Sequence, residues 1–164
     1  MGTASDTLAA LYGREAAAAT RLAYILTGDN EAAEDVVHDA FVKIGGKVLA
    51  LRDPEHARAY LFRTVINLCR GRGRKVQRER NALRKLDYPP SGYSVVSGND
   101  EMWTALLHLP IRQRAALFLR YYQDLSEQEA AEALNCSLSA LKSLVNRGLR
   151  DLRTRLKEGR DDRP

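Results

Sequence analysis

Residues Leu125–Leu149 decide the fold, and they read LSEQEAAEALNCSLSALKSLVNRGL. Ser126 and Glu129 have the spacing of a helix N-cap in which each side chain caps the other's backbone amide. Asn135 stands where a helix commonly ends in a left-handed residue, and Ser137 can cap a second helix. The segment therefore predicts two helices joined by a tight turn. In such a helix-turn-helix the second helix enters the DNA major groove.

The second helix of this pair has one apolar and one polar face. Apolar residues recur at spacings of three and four, at Leu138, Leu141, Val145, Leu149, Leu152 and Leu156. At about 100° per residue, the other face carries Ser139, Ser143, Asn146, Arg147 and Arg150, with Lys142 on its flank. Hydroxyl, amide and guanidinium groups bind base edges and phosphates. A helical hairpin with a merely solvated face is the alternative, but the caps, turn residue and basic face together favour a helix that reads DNA.

The distribution of charge also indicates a nucleic-acid partner. The 164 residues are 29% charged and 45% hydrophobic, with a net charge of +5, which fits one soluble domain or two small ones. Residues 1–86 hold 15 Lys and Arg against 10 Asp and Glu, whereas residues 87–164 hold 11 against 11. Within residues 70–85, eight basic residues accompany a single acid, Glu79. The basic excess is a local patch, as is typical of a nucleic-acid contact.

Several classes of protein do not fit this sequence. Cys69 and Cys136 are far apart and have no CxxC or Cys/His cluster around them, so we expect neither a disulfide nor a metal site. The sequence lacks the paired carboxylates, phosphate-binding Gly loop or Ser/His/Asp set of an enzyme, so we expect no catalytic residues and no cofactor. It also lacks the ~18-residue apolar run of a membrane span and a signal-peptide pattern, so we expect a cytoplasmic protein without membrane insertion.

Helical periodicity extends over almost the whole chain, so we expect an all-α fold. One stretch breaks the periodicity: residues 87–100 hold two prolines, two glycines and three serines. We predict a flexible linker there, between a first small helical domain at 1–86 and a second at 101–164.

Start and stop signals place the helices. Asp29 or Asn30 can cap a helix, Gly45-Gly46 weakens one, and Asp53 before Pro54 has the pattern of a helix start. The predicted helices run from about 5 to 26, from 30 toward 45, from 55 into the basic run, near 103–107, from 110 to 122, and through the helix-turn-helix.

Four motifs in order resemble the extracytoplasmic-function (ECF) group of bacterial RNA polymerase sigma factors. Residues 33–41, AEDVVHDAF, resemble the group's polymerase-binding segment, and residues 59–68, AYLFRTVINL, resemble its A-W-L-x-R-x-x-x-N segment. Residues 109–117 match L-P-x-x-Q-R-x-x-L, and the pattern continues through Leu125-Ser126 into the helix-turn-helix. The resemblance covers nearly the whole length of the chain.

For the first domain, the resemblance implies docking on the clamp helices of the largest subunit of core RNA polymerase. The implied docking residues are Glu34, Asp35, Val37, His38, Asp39 and Phe41. The acidic residues would face basic partners, while the apolar ones pack or hold the helix in place. From the residues alone, an ordinary amphipathic helix is the alternative.

The resemblance further implies that this domain melts the −10 element and traps an extruded base of one strand. Extrusion costs a few kcal/mol of stacking, so a pocket in the loop 51–56 and a positive groove must offset it. The implied contacts are Leu51, Arg52, Asp53, His56, Tyr60, Arg63, Asn67, Arg70, Arg72, Arg74 and Lys75. Tyr60 stands where the family usually has Trp, and a core aromatic is the alternative for it.

The second domain would place its recognition helix at the −35 element and contact the flap of the polymerase. The implied −35 contacts are Arg112 and Arg114, as phosphate anchors, with Ser139, Lys142, Ser143, Asn146, Arg147 and Arg150. Leu144 replaces an Arg common in the family's recognition helix, which leaves the target sequence open.

The function implied by the resemblance is promoter-specific transcription initiation through core RNA polymerase and promoter DNA. An anti-sigma protein that covers both domains is expected as a further partner. A stand-alone helix-turn-helix regulator that never binds polymerase is the alternative. The acidic residues 34–41 and the polar linker argue against it.

Overall fold

The computed structural model describes residues 3–47, 50–51, 53–84 and 100–161. Within these ranges the chain forms seven α-helices and no strand, which confirms the all-α prediction. The helices are α1 (Ala4–Thr27), α2 (Asn30–Gly45), α3 (Pro54–Arg84), α4 (Asp100–Leu107), α5 (Ile111–Leu117), α6 (Glu127–Leu134) and α7 (Leu138–Asp161). The predicted linker lies outside the described residues, except for Asp100, which begins α4.

Helices α1, α2 and α3 form the N-terminal group, and local signals set their ends. Thr3 and Asp6 make a capping box at the start of α1, which ends at Gly28 in the left-handed region with φ 74°. Asp29 caps α2 by accepting a 3.0 Å hydrogen bond from the Glu31 amide. The core of this group contains Leu11, Leu22, Val36, Ile44, Leu61, Phe62 and Ile66.

Helix α3 is the longest element of the N-terminal group. Asp53 caps it through a 2.9 Å hydrogen bond from the Glu55 amide, as its Asp-Pro start predicts. Its 31 residues span about 46 Å at 1.5 Å per residue. Buried positions along it reach Cys69, and beyond them Gly71, Gly73 and Arg74 are exposed. The basic end of the helix therefore extends past the core.

Helices α4 to α7 form the C-terminal group, which contains the predicted helix-turn-helix. Ser126 and Glu129 make the reciprocal capping box, and Asn135 ends α6 in the left-handed region with φ 52°. The hydroxyl of Ser137 accepts a 3.1 Å hydrogen bond from the Ala140 amide at the start of α7. Each predicted cap and turn residue of this segment is confirmed.

Two local features shape the C-terminal group. Helix α5 continues into a π-helical turn, Phe118–Tyr122, which leaves Tyr121 and Tyr122 exposed. Helix α7 crosses α5 closely at Gly148. A Cβ atom there would lie 3.1 Å from Cδ1 of Leu117, a separation tighter than ordinary packing. Glycine at this position lets α7 approach α5.

The two groups pack against each other. Helix α3 lies along α6, while α1 contacts α4 and α5. Buried residues of both groups join into one apolar cluster. The two groups therefore form one packed body.

Candidate functional site

The predicted acidic docking set divides into two kinds of residue on α2. Glu34, Asp35, His38 and Asp39 are exposed on its outer side. Val37 and Phe41 are buried in the core, and the Phe41 ring lies 4.9 Å from that of Tyr12. The first four residues form an accessible, mainly acidic surface, which we call the α2 face. The two apolar residues hold the helix that presents it.

Val42 extends the α2 face and is not among the residues predicted from the sequence. It follows Asp35 and His38 at helical spacings of seven and four, so the three share one side of α2. Its exposed fraction is 65%, which is large for an apolar side chain next to a packed core. The spacing from Asp35 was the signal that would have identified it.

Arg72 lies on a different side of α3 from the other residues predicted to line the −10 strand. Its guanidinium is 3.4 Å from the Asp35 carboxylate of α2. Two residues of helix separate it from Arg74 by about 160° around the axis. Arg72 therefore pairs with the α2 face in this structure.

Apart from Lys75, which directly follows Arg74, the other predicted contacts on α3 fall on one side of the helix. They follow spacings of four and three, which keeps side chains in line along a helix. These residues, which we call the α3 stripe, are His56, Tyr60, Arg63, Asn67, Arg70 and Arg74. Asn67, Arg74 and the flanking Lys75 are exposed, whereas Tyr60, Arg63 and Arg70 are half-buried.

The loop before α3 orients the first residue of this stripe. The Asp53 carboxylate lies 2.8 Å from Nδ1 of His56. The hydrogen bond that Asp53 accepts from the Glu55 amide, and after it the one that it accepts from the His56 ring, lowers the pKa of Asp53. Leu51 is half-buried against the core, while Arg52 lies outside the described residues. A carboxylate thus fixes the imidazole at the end of the stripe.

Tyr60 has a basic neighbour that the sequence alone did not reveal. Nζ of Lys47 donates a 3.3 Å hydrogen bond to the Tyr60 hydroxyl and lies 5.9 Å from the ring centroid. The ring also packs against the core, so it is both a core aromatic and a partly accessible surface. Lys47 places a positive charge beside it. No local pattern links two residues 13 positions apart on either side of a loop.

The polar face of α7 is open to solvent along its length. All the residues of α7 that were predicted as −35 contacts are exposed, namely Ser139, Lys142, Ser143, Asn146, Arg147 and Arg150. Leu144 is half-buried against the core, so the departure from the family motif lies on the inner side of the helix. Lys142 is 3.6 Å from the Glu127 carboxylate, which orients one cation at the edge of this face.

Arg112 and Arg114 contact backbone carbonyls in this structure. Arg112 donates a 2.8 Å hydrogen bond to the carbonyl of Leu134, where α6 ends. Arg114 is only 8% exposed, and its guanidinium is surrounded by carbonyl oxygens of both helical groups. In this arrangement the Arg114 guanidinium faces the protein interior, away from any phosphate on the surface.

Other reactive groups are few in the described part of the chain. Burial raises the pKa of the Cys69 thiol to about 12, so this cysteine is a poor nucleophile. Across the described ranges, no three His, Cys, Asp or Glu side chains are grouped so that they could hold a metal ion. None of the helices described is both long enough and apolar enough to cross a bilayer.

Each of the two helical groups matches the model of a known family. A model of sigma-70 region 2 matches residues 11–79, and a model of sigma-70 region 4 matches residues 99–152. The chain is 32% identical to the ECF RNA polymerase sigma factor SigL of Mycobacterium tuberculosis, over 91% of this chain and 88% of that one. It is 31% identical to the RNA polymerase sigma-E factor of Streptomyces avermitilis, over 86% and 79%.

Solved structures give the same picture. The sigma factor RpoE, in its complex with the anti-sigma factor NepR from Bartonella quintana, aligns over 92% of both chains with a TM-score of 0.66 and 26% identity. CnrH, in complex with the cytosolic domain of CnrY, has the same fold, with a TM-score of 0.67 at 24% identity.

Proposed function

The chain belongs to the ECF group of RNA polymerase sigma factors, and on that premise we propose how its surfaces divide the work of promoter recognition. As a member of this family it binds core RNA polymerase and directs initiation at promoters with −35 and −10 elements. The observation that carries this function is the match of regions 2 and 4, in that order, to its two helical groups. A stand-alone regulator would not need a region 2 domain.

We assign polymerase docking to the α2 face. Its exposed acids complement a basic surface, and electrostatic complementarity of this kind sets specificity and association rate. Val42 adds apolar area within the charged face. Burying a valine side chain contributes about 1.5 kcal/mol, which charges at an exposed rim do not supply. Val37 and Phe41 act indirectly, by holding α2 in the core.

We assign the −10 strand to the α3 stripe. From His56 to Arg74 the stripe is about 27 Å long, equivalent to roughly eight base steps at 3.4 Å each. Single strands bind to grooves that combine positive charge with aromatic surfaces, and the stripe offers Arg74 and the Lys47–Tyr60 pair. Arg72 is assigned a supporting role instead, since it pairs with Asp35.

We assign the −35 element to the exposed face of α7. Asn146 and Arg147 have the side chains that bind adenine and guanine through two hydrogen bonds in the major groove. Arg150 and Lys142 carry the charges that hold phosphates and fix the register. Leu144 packs inward, so its neighbours on the exposed face would contact the bases of the −35 element.

We also propose an anti-sigma protein as a regulatory partner, because the related RpoE was solved with one. We infer that the chain acts in the cytoplasm, because core polymerase and promoter DNA are found there. The role is that of an initiation factor, and we assign no catalytic step to its residues.

Reconstitution with bacterial core RNA polymerase tests the proposed function. We expect the chain to be retained by immobilised core enzyme and to give run-off transcripts from a subset of a genomic promoter library. Core enzyme without the chain is the control. Sequence-specific DNA binding without retention by core enzyme would support the stand-alone regulator and overturn the proposal.

A further inference from the structure

Helix α7 begins with a large apolar side chain that lies outside the core. Leu138 is 46% exposed, although its spacing places it in the apolar row of this helix. The rest of the row packs inward: Leu141 is buried, whereas the half-buried members are Val145, Leu149, Leu152 and Leu156. Within the described helix, Leu138 is therefore the large apolar residue that remains open to solvent.

The turn before α7 holds the backbone of Leu138 in place. Asn135 ends α6 in the left-handed region with φ 52°. The hydroxyl of Ser137 then accepts a 3.1 Å hydrogen bond from the Ala140 amide, and its carbonyl accepts one of 2.9 Å from the Leu141 amide. These bonds enclose the first residue of the helix. A side chain on such a fixed backbone loses little freedom when it binds a partner.

The surface around Leu138 is positively charged. Lys142 follows it by one turn and by about 40° around the axis, and Ser139 is exposed beside it. From residue 138 to residue 150 the helix contains no acid but three bases. An exposed leucine at the edge of a cationic face suits a partner that presents phosphates and an apolar group together. Duplex DNA is a partner of this kind.

The chemistry of leucine limits what it can contact in DNA. A leucine side chain has no hydrogen-bond donor or acceptor, so it cannot hold a phosphate. In the major groove the apolar group on a base edge is the C5 methyl group of thymine. Against a G·C pair the same side chain would cover polar atoms and leave them without partners. An apolar side chain here therefore favours a thymine.

The position of Leu138 along α7 brings it within reach of the bases. In a helix-turn-helix, the N-terminal residues of the second helix contact the base edges, and Leu138 is the first residue of α7. Arg147 follows nine residues later, about 13.5 Å along the axis, which equals roughly four base steps of 3.4 Å. The two side chains are therefore expected to contact different base pairs.

We propose that Leu138 helps to select the −35 element by contacting the C5 methyl group of a thymine in the major groove. The proposal rests on the proposed function, because it takes the exposed face of α7 as the surface that binds this element. It adds an apolar contact to the hydrogen bonds assigned to Asn146 and Arg147. It also requires a thymine, on either strand, at the base pair that faces the start of α7.

Replacement of thymine by deoxyuridine tests this contact. Deoxyuridine pairs with adenine as thymine does and differs from it by the missing C5 methyl group. The chain is combined with core RNA polymerase on a promoter that the two transcribe, and each thymine of the −35 element, on either strand, is replaced singly. Each substituted promoter then competes with the unsubstituted one for the same enzyme, and run-off transcripts of two lengths report the ratio of their affinities.

We expect the wild type to bind about threefold to fivefold more weakly when one particular thymine is replaced, the range for burying one methyl group. With Leu138→Ala, thymine and deoxyuridine at that position should bind equally well. Leu156→Ala shortens the same side chain further along α7 and is the matched control, which should keep the wild-type ratio. Each ratio compares two promoters with one protein, so changes in folding or in polymerase binding cancel.

Three results would overturn the contact while the proposed function stands, provided that the wild type transcribes. They are equal binding of all substituted promoters by the wild type, a deoxyuridine effect that persists in Leu138→Ala, and a −35 element without any A·T pair. If the wild type with core enzyme transcribes no promoter of a genomic library, the proposed function itself fails.

Discussion

The two long basic helices, α3 and α7, differ in how far their polar faces are available. The α7 face is exposed from Ser139 to Arg150, and its only described ion pair is that of Lys142 at the edge. The α3 stripe is only partly available, because some of its side chains contact other parts of the chain. Arg63 binds α6 and Tyr60 binds Lys47, while Asn67 and Arg74 remain exposed. Similar composition therefore does not give similar accessibility.

This difference indicates an order of events at a promoter. A helix whose readout residues are already exposed can scan duplex DNA at once. A strand-binding surface whose side chains already contact other parts of the chain must first release those contacts. We infer that the −35 contact can precede the −10 contact, and variants of the two surfaces should therefore differ in their effects.

The largest effect is expected at the polymerase face, which both DNA surfaces depend on. Asp35→Arg should weaken binding to core polymerase by about 30-fold or more, since it replaces attraction to a basic surface by repulsion. It also places two arginines side by side at Arg72. Binding to immobilised core enzyme measures the effect. Glu158→Arg, an exposed acid near the end of α7, is the control, and equal loss in both variants would remove the α2 face from the docking site.

The next effect concerns readout by α7. Arg147→Ala should cost about 1 to 3 kcal/mol of discrimination at one or two base pairs. Run-off transcription from templates with single substitutions in the −35 element measures it. Lys157→Ala, further along α7, should not change the preference. A loss that is uniform over all templates would mean that Arg147 holds a phosphate.

A smaller and different effect is expected on α3. Arg74→Ala should weaken binding to a fork probe about equally for all sequences, and should lower the slope of log affinity against log salt by about 1. Arg72→Ala is the matched control. The Arg72 guanidinium faces Asp35, so its removal should leave the salt slope unchanged. If Arg72→Ala lowers the slope and Arg74→Ala does not, the sides of α3 have been assigned in reverse.

The N-terminal cap of α6 should contribute to the stability of the fold that carries both surfaces. Ser126→Ala removes the hydroxyl that accepts the Glu129 amide at 3.1 Å, and such caps contribute about 1 kcal/mol. Urea unfolding should show a loss of that size. Ser143→Ala, an exposed serine within α7, should change stability by less than half as much.

The smallest effect is a dependence on pH. The hydrogen bond from the Ser126 amide, more than the nearby Arg58, lowers the pKa of Glu129. The stabilisation is therefore complete above the pKa of the unfolded chain, about 4.3, and is lost as the pH falls through the lower pKa of the folded chain. Glu129→Gln keeps the hydrogen-bond geometry without the charge and should flatten unfolding free energy against pH below 5. An unchanged slope would contradict this contribution.

The sequence predicted the features that obey local rules. The caps at Ser126 and Asp53 and the left-handed Asn135 follow from residue type and position. The face of α7 follows from helical spacing alone. Local chemistry fixes such features, because all the interacting groups lie within four residues of each other.

The sequence did not predict features that depend on distant parts of the chain. Arg114 matched a motif and was assigned to phosphate, yet two of its carbonyl acceptors, at Ile25 and Leu26, come from α1, which lies 88 or more residues away in the chain. Arg72 lay within the basic run, but the packing of α2 against α3 turned it toward Asp35. Leu144 looked like a lost DNA contact until packing placed it on the inner side of α7. Tertiary contacts decide these cases.

The most direct test is footprinting of the chain with core polymerase on a promoter that the two transcribe together. It tests whether α7 binds the −35 element while the α3 stripe binds the −10 strand. We expect two protected patches near −35 and −10, with permanganate-reactive thymines only at −10. Arg147→Ala should weaken protection at the first patch, and Arg74→Ala should reduce strand opening at the second. A single protected patch that is the same with and without core polymerase, and lacks any opened thymine, would contradict this assignment of the two surfaces.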